Sequence, residues 1–283
     1  MWDLKWIQAL RSKEVLHKFG GRLFLLLGVY SLVKFLRSRR LLSTDASENK
    51  PAGTLLSQGA LQVVLSFLAG WFDVFCFKQY KCYANMMTGN TVNLCYKVGN
   101  LDATDVSFFV TAILNFSGGF AAFKCLDTKL SGRWSCTTAA PVIFALFALA
   151  DILRARSPSS RWHMIPLAFA CGMVNSVSAE KAKLVTMAVT GHYQGLSSLL
   201  ADALCKGLTA PQRRSAFESV RMVAAFCSAI AVGMAASNAR GAPPALARAK
   251  FTAFGALYAA ALVLHELPAD ALYRRGRPAA RAE

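Results

Sequence analysis

Two short stretches decide the fold: residues 86–94 read MMTGNTVNL and residues 188–196 read AVTGHYQGL. Each places a threonine and a glycine, followed by a side chain that both donates and accepts hydrogen bonds, between apolar stretches. Glycine lets the backbone turn tightly, and threonine is favoured at the start of a helix. We therefore expect each stretch to break a membrane-embedded helix, with Thr88 capping a half-helix that begins near Gly89.

The whole chain has the composition of a multi-span membrane protein. Of its 283 residues, 55 % are hydrophobic and 17 % are charged, and the mean hydropathy is +0.38, which lies outside the range of ordinary soluble domains. The formal net charge is +17, but the Lys and Arg residues gather between apolar segments and at both termini, where loops face an anionic bilayer. The expected partner is therefore the lipid bilayer rather than nucleic acid.

Six apolar segments follow from residue 55 onward, and none has its apolar residues confined to one stripe. All-round hydrophobicity is what contact with lipid produces, whereas a helix of a soluble protein keeps a polar face. The sequence therefore predicts an all-α fold, a polytopic membrane helix bundle of about six spans. The segments comprise residues 55–77, 107–123, 137–153, 164–179, 219–237 and 251–267.

The two opening stretches belong to an internal repeat. An offset of 102 residues carries Thr88 onto Thr190, and the same offset carries Asp73 onto Asn175 without a gap. A shifted offset relates the small-residue helix around Gly119 to a later one. Over residues 63–94 the first offset gives seven identities, more than biased apolar sequence gives by chance, at Leu65, Phe67, Gly70, Lys81, Thr88, Gly89 and Leu94.

This repeat divides the chain into two related membrane halves with a basic segment at each end. The N-terminal segment surrounds one short apolar run with cationic residues, so a targeting segment, an anchor and an interfacial helix all stay open as interpretations. The predicted parts are the N-terminal extension and linker at 1–54, the first half at 55–160, the second half at 161–270, and a basic tail at 271–283.

The repeated motifs resemble a known family. GWFDVFCF at 70–77 with the first Thr-Gly stretch, and ACGMVNSVSA at 170–179 with the second, are similar to the YoaK-like multi-pass membrane proteins, known as domain of unknown function 1275. The second half departs from the family pattern, since Val174 replaces a glutamine and His192 a threonine. The resemblance covers roughly residues 60 to 270. It implies a membrane fold of about six spans but no established activity, so function has to be argued from the site.

Whether the first Thr-Gly element crosses the bilayer decides the symmetry of the molecule. Residues 79–98 are long enough for one pass, but their polar load is heavy for lipid contact. We expect the element to re-enter, which gives three passes per half and inverted halves; a full crossing would give four and parallel halves. With six passes, 23 of the 32 Lys and Arg residues share the side of the N-terminus. This predicts a cytoplasm-facing N-terminus, as eight passes also would.

The polar residues in these segments predict a solute-binding or coupling site. A half-helix that begins inside the membrane aims unpaired N–H groups at a polar or anionic ligand. An ionised carboxylate inside a span is costly and is by default a candidate for proton coupling or solute contact, and its counterpart in the second half is an amide that does not titrate. The predicted site comprises Asp73, Thr88, Gly89, Asn90, Asn175, Thr190, Gly191 and His192.

Structural explanations compete with this functional interpretation. The Thr-Gly elements would serve only to break and pack helices, since both residues are common in membrane helices for that reason. Asp73 would lie at the water interface, paired with Lys78 or Lys81. Asp151 and Glu266 end predicted spans and precede arginines, and we expect them to anchor those ends by charge.

The working hypothesis is a secondary-transporter-like carrier of a small polar or anionic solute. The first alternative is a membrane scaffold or assembly factor that transports nothing, and the second is an intramembrane enzyme. The sequence holds no catalytic triad, paired-histidine motif, Walker loop or dinucleotide fingerprint. We therefore expect no enzymatic activity, no metal and no cofactor. The sequence does not indicate which membrane holds the protein or its oligomeric state.

Overall fold

The structure is a computed structural model, and it describes residues 54–130, 134–182, 189–238 and 250–268. The predicted N-terminal extension, up to residue 53, and the predicted C-terminal tail lie outside these residues. Within them the chain is all-α, with one isolated β-bridge between Thr54 and Pro268. The described helices are α1 (Gln58–Tyr80), α2 (Met87–Gly99), α3 (Ala103–Lys129), α4 (Ser135–Arg156), α5 (Met164–Glu180), α6 (Val189–Cys205), α7 (Ala210–Asn238) and α8 (Lys250–Glu266).

Each predicted apolar segment coincides with one of the helices α1, α3, α4, α5, α7 and α8. In the described residues, four stretches of helix are long and apolar enough to cross a membrane. α5 and α8 have 17 residues each. These helices indicate a multi-pass membrane protein. The four long stretches are Gln58–Tyr80, Ala103–Lys129, Ser135–Arg156 and Ala210–Ala235.

α1 and α5 run antiparallel through the middle of the bundle. Near the start of α1, Gln62 Nε2 donates a hydrogen bond to the carbonyl oxygen of Ala182, just past the end of α5, at 2.7 Å. At the other end, the rings of Tyr80 and His163 lie 6.1 Å apart, and His163 directly precedes α5. We call the end with Tyr80 and His163 the upper end, and the end with Gln62 and Ala182 the lower end.

α3 packs along α5, and α1 packs along α7. α3 and α5 are parallel, because Asp105 and Arg161 pair near both starts while Asp127 and Lys181 pair near both ends. α1 and α7 are parallel as well, since Ser66 Oγ donates to Met222 Sδ at 3.4 Å and a later α7 residue lies beside Trp71. The two long parallel contacts therefore each join a helix of residues 55–160 to a helix of residues 161–270.

Glycine makes both of these contacts close. On α3 and α5, a Cβ at Gly119 would collide with the carbonyl oxygen of Phe169, and a Cβ at Gly172 would collide with that of Phe116. On α1 and α7, a Cβ at Gly70 would lie 2.7 Å from the carbonyl oxygen of Phe226. Small residues let helix backbones approach closely where water does not drive association.

α4 and α8 are antiparallel, and each carries in its C-terminal part a carboxylate that caps the other helix. At the upper end, Asp151 Oδ2 accepts from the backbone N–H of Thr252 at 2.7 Å. At the lower end, Glu266 accepts from the backbone N–H groups of Cys136 and Thr137 at 2.7 and 2.8 Å. The predicted charge anchors are thus helix caps, which place a negative charge where the helix dipole is positive.

Candidate functional site

After α1 the chain turns back into the bundle through residues 81–86, called here the return loop. Lys81 adopts a left-handed conformation (φ 55) that ends α1. The backbone N–H groups of Ala84 and Asn85 both donate to Asp73 Oδ1 at 2.9 Å. Asp73 lies two helical turns, about 10 Å, before Tyr80, so the loop descends that far from the upper end.

α2 then runs back toward the upper end. Lys97, in its last turn, forms an ion pair with Asp102 at 3.2 Å and another with Asp105, and Asp105 in turn pairs with Arg161 at the start of α5. The half-helix therefore starts inside the bundle and finishes at the end of the molecule where α1 finishes.

Asn90 fastens the return loop to α2. Its Oδ1 accepts from the backbone N–H of Tyr83 at 2.9 Å and its Nδ2 donates to the carbonyl oxygen of Tyr83 at 2.7 Å. The thiol of Cys82 also donates to Asn90 Oδ1, at 3.3 Å. The buried amide thus uses its carbonyl oxygen and its amino group within the protein.

The predicted cap at Thr88 is wrong. α2 begins at Met87, its N-cap residue is Met86, and no side chain caps it. Thr88 is exposed in the first turn. The physical reason is that the helix begins one residue before Thr88, where Asn90 holds the preceding loop through both backbone groups of Tyr83.

The glycines of the two Thr-Gly elements differ in their surroundings. A Cβ at Gly89 would lie 2.9 Å from the ring of Tyr83, which stacks on Phe77 with ring centroids 4.7 Å apart. A Cβ at Gly191 would have no atom within 4 Å among the described residues. Close packing therefore requires the first glycine, and the described residues give no such requirement for the second.

The second element lies on another flank of the bundle. α6 packs against α7, as α2 packs against α3, and the described parts of α2 and α6 form no packed interface with each other. His192 is buried, and its Nδ1 lies 3.4 Å from Ser219 Oγ on α7. Asn175 is buried on α5. The side chain of Thr190 and residues 183–188 lie outside the described residues.

Asp73 is the most deeply placed of the predicted charged residues. Its side chain is 3 % exposed, so it does not lie at a water interface, and the ammonium of Lys81 instead lies over the ring of Phe77. Among the described residues Asp73 takes part in no ion pair. One oxygen holds the return loop, and the other, Oδ2, is buried without a hydrogen-bond partner there.

Three further residues around Asp73 were missing from the predicted site. Asn85 lies on the return loop, 5 % exposed, and its Nδ2 donates to Asp73 Oδ1 at 3.3 Å. Tyr258 on α8 is fully buried and interacts with Asn85 and Asp73. Cys171 on α5 is fully buried and interacts electrostatically with Asp73. Asn85 stood out only as part of the polar load of its segment, and α5 and α8 are too distant in sequence for any local pattern to place them here.

The described residues hold no group of three or more His, Cys, Asp or Glu side chains arranged to bind a metal ion. What the arrangement around Asp73 does offer is hydrogen bonding. It brings one carboxylate, one amide and one phenol together inside a helix bundle, at the junction of a return loop with helices from both halves of the chain.

The comparison with protein families agrees with the motifs. The family model described as "Protein of unknown function (DUF1275)" matches residues 61–271, which is most of the chain. The chain belongs to the DUF1275 family. No curated protein and no solved structure matches this DUF1275 chain. Membership confirms the resemblance seen in the sequence, and the family description assigns no activity.

Proposed function

We propose that this DUF1275 protein is a secondary-transporter-like carrier of a small polar solute, and that its site centres on Asp73. The observation that carries the proposal is the buried carboxylate, which has one oxygen tied to the return loop and one oxygen without a partner. Ionisable groups inside membrane bundles are costly and mark ion, proton or solute paths. The other predicted site residues stay predictions.

The second part of the proposal is that the two halves of the chain are inverted copies of one unit. The helix contacts support it, because mapping each half onto the other reproduces the same pairs of helices. If α1 to α4 correspond to α5 to α8, the contact of α1 with α7 becomes that of α5 with α3, and both are present as close parallel contacts. The contacts of α2 with α3 and of α6 with α7 exchange in the same way. Gly70 and Gly172, related by the 102-residue offset, lie at the two equivalent crossings.

The antiparallel pairing of α4 and α8 supports inversion rather than parallel repetition. Helices related by an axis along the membrane normal point the same way, whereas an axis in the membrane plane reverses them. We infer six passes, α1, α3, α4, α5, α7 and α8, which alternate in direction along the chain. α2 and α6 are then the re-entrant half-helices. α5 and α8 extend about 25 Å each, close to the hydrocarbon thickness of about 30 Å.

Inverted halves provide a physical route for transport. Rocking one half against the other around a fixed central site exposes that site first to one side and then to the other. Asp73 suits such a position, since it interacts electrostatically with Cys171 of α5 and Tyr258 of α8, so movement between the halves changes its surroundings.

A scaffold without transport is the second candidate, and one observation favours it. Asn90 and Gly89 fasten and pack the return loop, so the first Thr-Gly element has a structural task that requires no solute. In this alternative Asp73 is a further fastener, and its unpaired oxygen has no role.

Solute binding and solute uptake by the purified full-length protein test the proposal. Small solutes of either charge and neutral polar solutes are screened for thermal stabilisation of the wild type and of Asp73→Asn. Each stabilising solute is then measured for uptake into proteoliposomes. We expect at least one solute to stabilise the wild type only and to be taken up by it. If the wild type shows no solute dependence, or shows binding without uptake, the carrier proposal is wrong and the scaffold is favoured.

A further inference from the structure

The charge of the solute follows from which hydrogen-bonding groups around Asp73 are already paired. The half-helix α2 was expected to aim N–H groups at an anion. Instead, the N–H groups that precede it, on Ala84 and Asn85, donate to Asp73 Oδ1. The loop that leads into α2 therefore already binds a carboxylate of the protein itself, and a second anion beside Asp73 would be repelled.

The atoms that stay unpaired are mainly acceptors. Asp73 Oδ2, Asn85 Oδ1 and the hydroxyl of Tyr258 are all buried without a hydrogen-bond partner within the described part of the chain. A carboxylate oxygen and an amide oxygen only accept, and a phenol oxygen accepts as well as donates. Because a buried polar atom left unpaired costs about 1–3 kcal/mol, a ligand that supplies hydrogen-bond donors is the one these three atoms favour.

The electrostatic surroundings favour a positive ligand. The titratable groups recorded around Asp73 are Cys76 on α1, Cys82 and Tyr83 on the return loop, Cys171 on α5 and Tyr258 on α8, and none of these is cationic. Lys250 interacts with Cys76, but its ammonium donates to Gln79 Oε1 at 2.6 Å, near the upper end. Burying a carboxylate without an ion pair is costly, and binding a proton or a cation lowers that cost.

We propose that this site binds a small protonated primary amine in exchange for a proton, an inference that rests on the proposed function and specifies its solute. The three N–H donors of an alkylammonium match the three acceptors, Asp73 Oδ2, Asn85 Oδ1 and the Tyr258 hydroxyl oxygen. At the related position of the second half the side chain is the amide of Asn175, which cannot pair with an ammonium as a carboxylate does.

The exchange balances without any further reactant. In the amine-free state the proton is bound to the Asp73 carboxyl group through an O–H bond. When the ammonium binds, that O–H bond breaks, the proton leaves to water, and the carboxylate pairs with the ammonium. The net charge of the site is the same before and after. The buried region therefore avoids an uncompensated charge in both states.

Methylammonium chloride, added to purified full-length protein in a weakly buffered solution, tests the exchange. Thermal unfolding gives the dissociation constant, and a pH indicator gives proton release. Sodium chloride and tetramethylammonium chloride, at equal ionic strength, are the control salts. Neither cation has an N–H group, and tetramethylammonium is, like methylammonium, an organic cation. We expect only methylammonium to stabilise the protein, with one proton released for each amine bound.

Three variants locate the effect. Asp73→Asn should abolish the stabilisation and the proton release. Tyr258→Phe removes one acceptor and should raise the dissociation constant about tenfold, since hydrogen bonds to charged groups contribute about 1.5–3 kcal/mol. Tyr80→Phe is the control, because the Tyr80 hydroxyl is also buried without a partner in the described residues but is not one of the three acceptors, and its dissociation constant should stay within about twofold of wild type.

Each contrary outcome overturns a defined part of the inference. Equal stabilisation by tetramethylammonium or by sodium would refute recognition of N–H donors. Stabilisation by acetate or phosphate that depends on Asp73 would refute the cation while leaving the carrier proposal intact. If the wild type responds to a neutral polar solute only, this inference fails and the carrier proposal stands; if it responds to no solute at all, both fail.

Discussion

The two halves of the bundle place different chemistry at positions related by the 102-residue offset. In the first half, Asp73 and Asn90 hold the return loop through hydrogen bonds at 2.7 to 3.3 Å. In the second half, Asn175 and His192 stand at these positions, and the described contact of His192 is a 3.4 Å approach to Ser219. The first half therefore combines a fastened loop with a carboxylate, whereas an amide and an imidazole stand at the related sequence positions of the second half.

This difference separates what the fold requires from what the proposed function requires. Features present in both halves, such as the glycine crossings and the reciprocal caps of α4 and α8, account for the architecture. Features present in one half, above all Asp73 with Asn85 and Tyr258, account for specific chemistry. Substitutions at related positions should therefore have unequal effects on stability.

The largest effect is expected at the helix crossings. Gly172→Ala places a methyl group against the backbone of α3 at Phe116, and Gly70→Ala places one 2.7 Å from the Phe226 carbonyl oxygen. Backbone atoms do not move aside as side-chain tips do, so we expect a loss of about 3 kcal/mol or more for Gly172→Ala and a smaller loss for Gly70→Ala. Expression of folded protein and thermal unfolding in detergent measure both. Equal tolerance at both sites would refute the close approach of α3 and α5.

The next contrast compares the side chains that follow the two Thr-Gly pairs. Asn90→Leu keeps the volume but leaves the backbone N–H and carbonyl groups of Tyr83 without partners, which should cost about 2–4 kcal/mol. His192→Leu removes one long hydrogen bond and should cost less than about 1 kcal/mol. Thermal unfolding of the two variants side by side is the measurement. A larger loss of stability for His192→Leu than for Asn90→Leu would contradict the conclusion that Asn90 fastens the loop of the first half.

The glycines of the same elements give a smaller contrast. Gly89→Ala meets the stacked ring of Tyr83 at 2.9 Å and should cost about 1–3 kcal/mol. Gly191→Ala meets no described atom within 4 Å, and the better helix propensity of alanine should stabilise the protein by up to about 1 kcal/mol. The melting temperatures should therefore move in opposite directions, and a shared direction would count against the different packing.

The smallest effect on stability is expected for Asp73→Asn. Asparagine keeps an oxygen that accepts from Ala84 and Asn85, and it replaces the unpaired carboxylate oxygen with an uncharged amino group. We expect a change within about 1 kcal/mol. Asp73→Ala is the contrast, because it leaves both loop N–H groups unpaired and should cost about 2–4 kcal/mol. If both variants melt together, Asp73 does not hold the return loop.

The sequence predicted the helical class and the positions of the six apolar helices, because these follow from hydropathy. It singled out Asp73 from the cost of a charge in lipid, and the role of that residue stays a prediction. The 102-residue offset pairs Gly70 with Gly172 in the sequence. It could not show which helix each glycine contacts, since that depends on packing between segments far apart in the chain. Thr88 was misplaced because the return loop, held by Asp73 and Asn90, ends early enough for α2 to begin at Met87. Asn85 and Tyr258 were missed because only the folding of the return loop and the packing of α8 bring them near Asp73.

Access to the buried site from both sides is the most direct test of the central claim. Cys76 lies one turn from Asp73 on α1 and is fully buried. A variant keeps Cys76 as its sole thiol, with the other cysteines replaced by alanine, and is placed in sealed vesicles with a known orientation of the protein. The buried control is a variant whose sole thiol is Leu65→Cys, with Cys76 replaced as well. We expect a membrane-impermeant thiol reagent to label Cys76 from either face and to leave position 65 unlabelled. No labelling of Cys76 from either face, in a folded protein, would contradict a carrier built from two inverted halves.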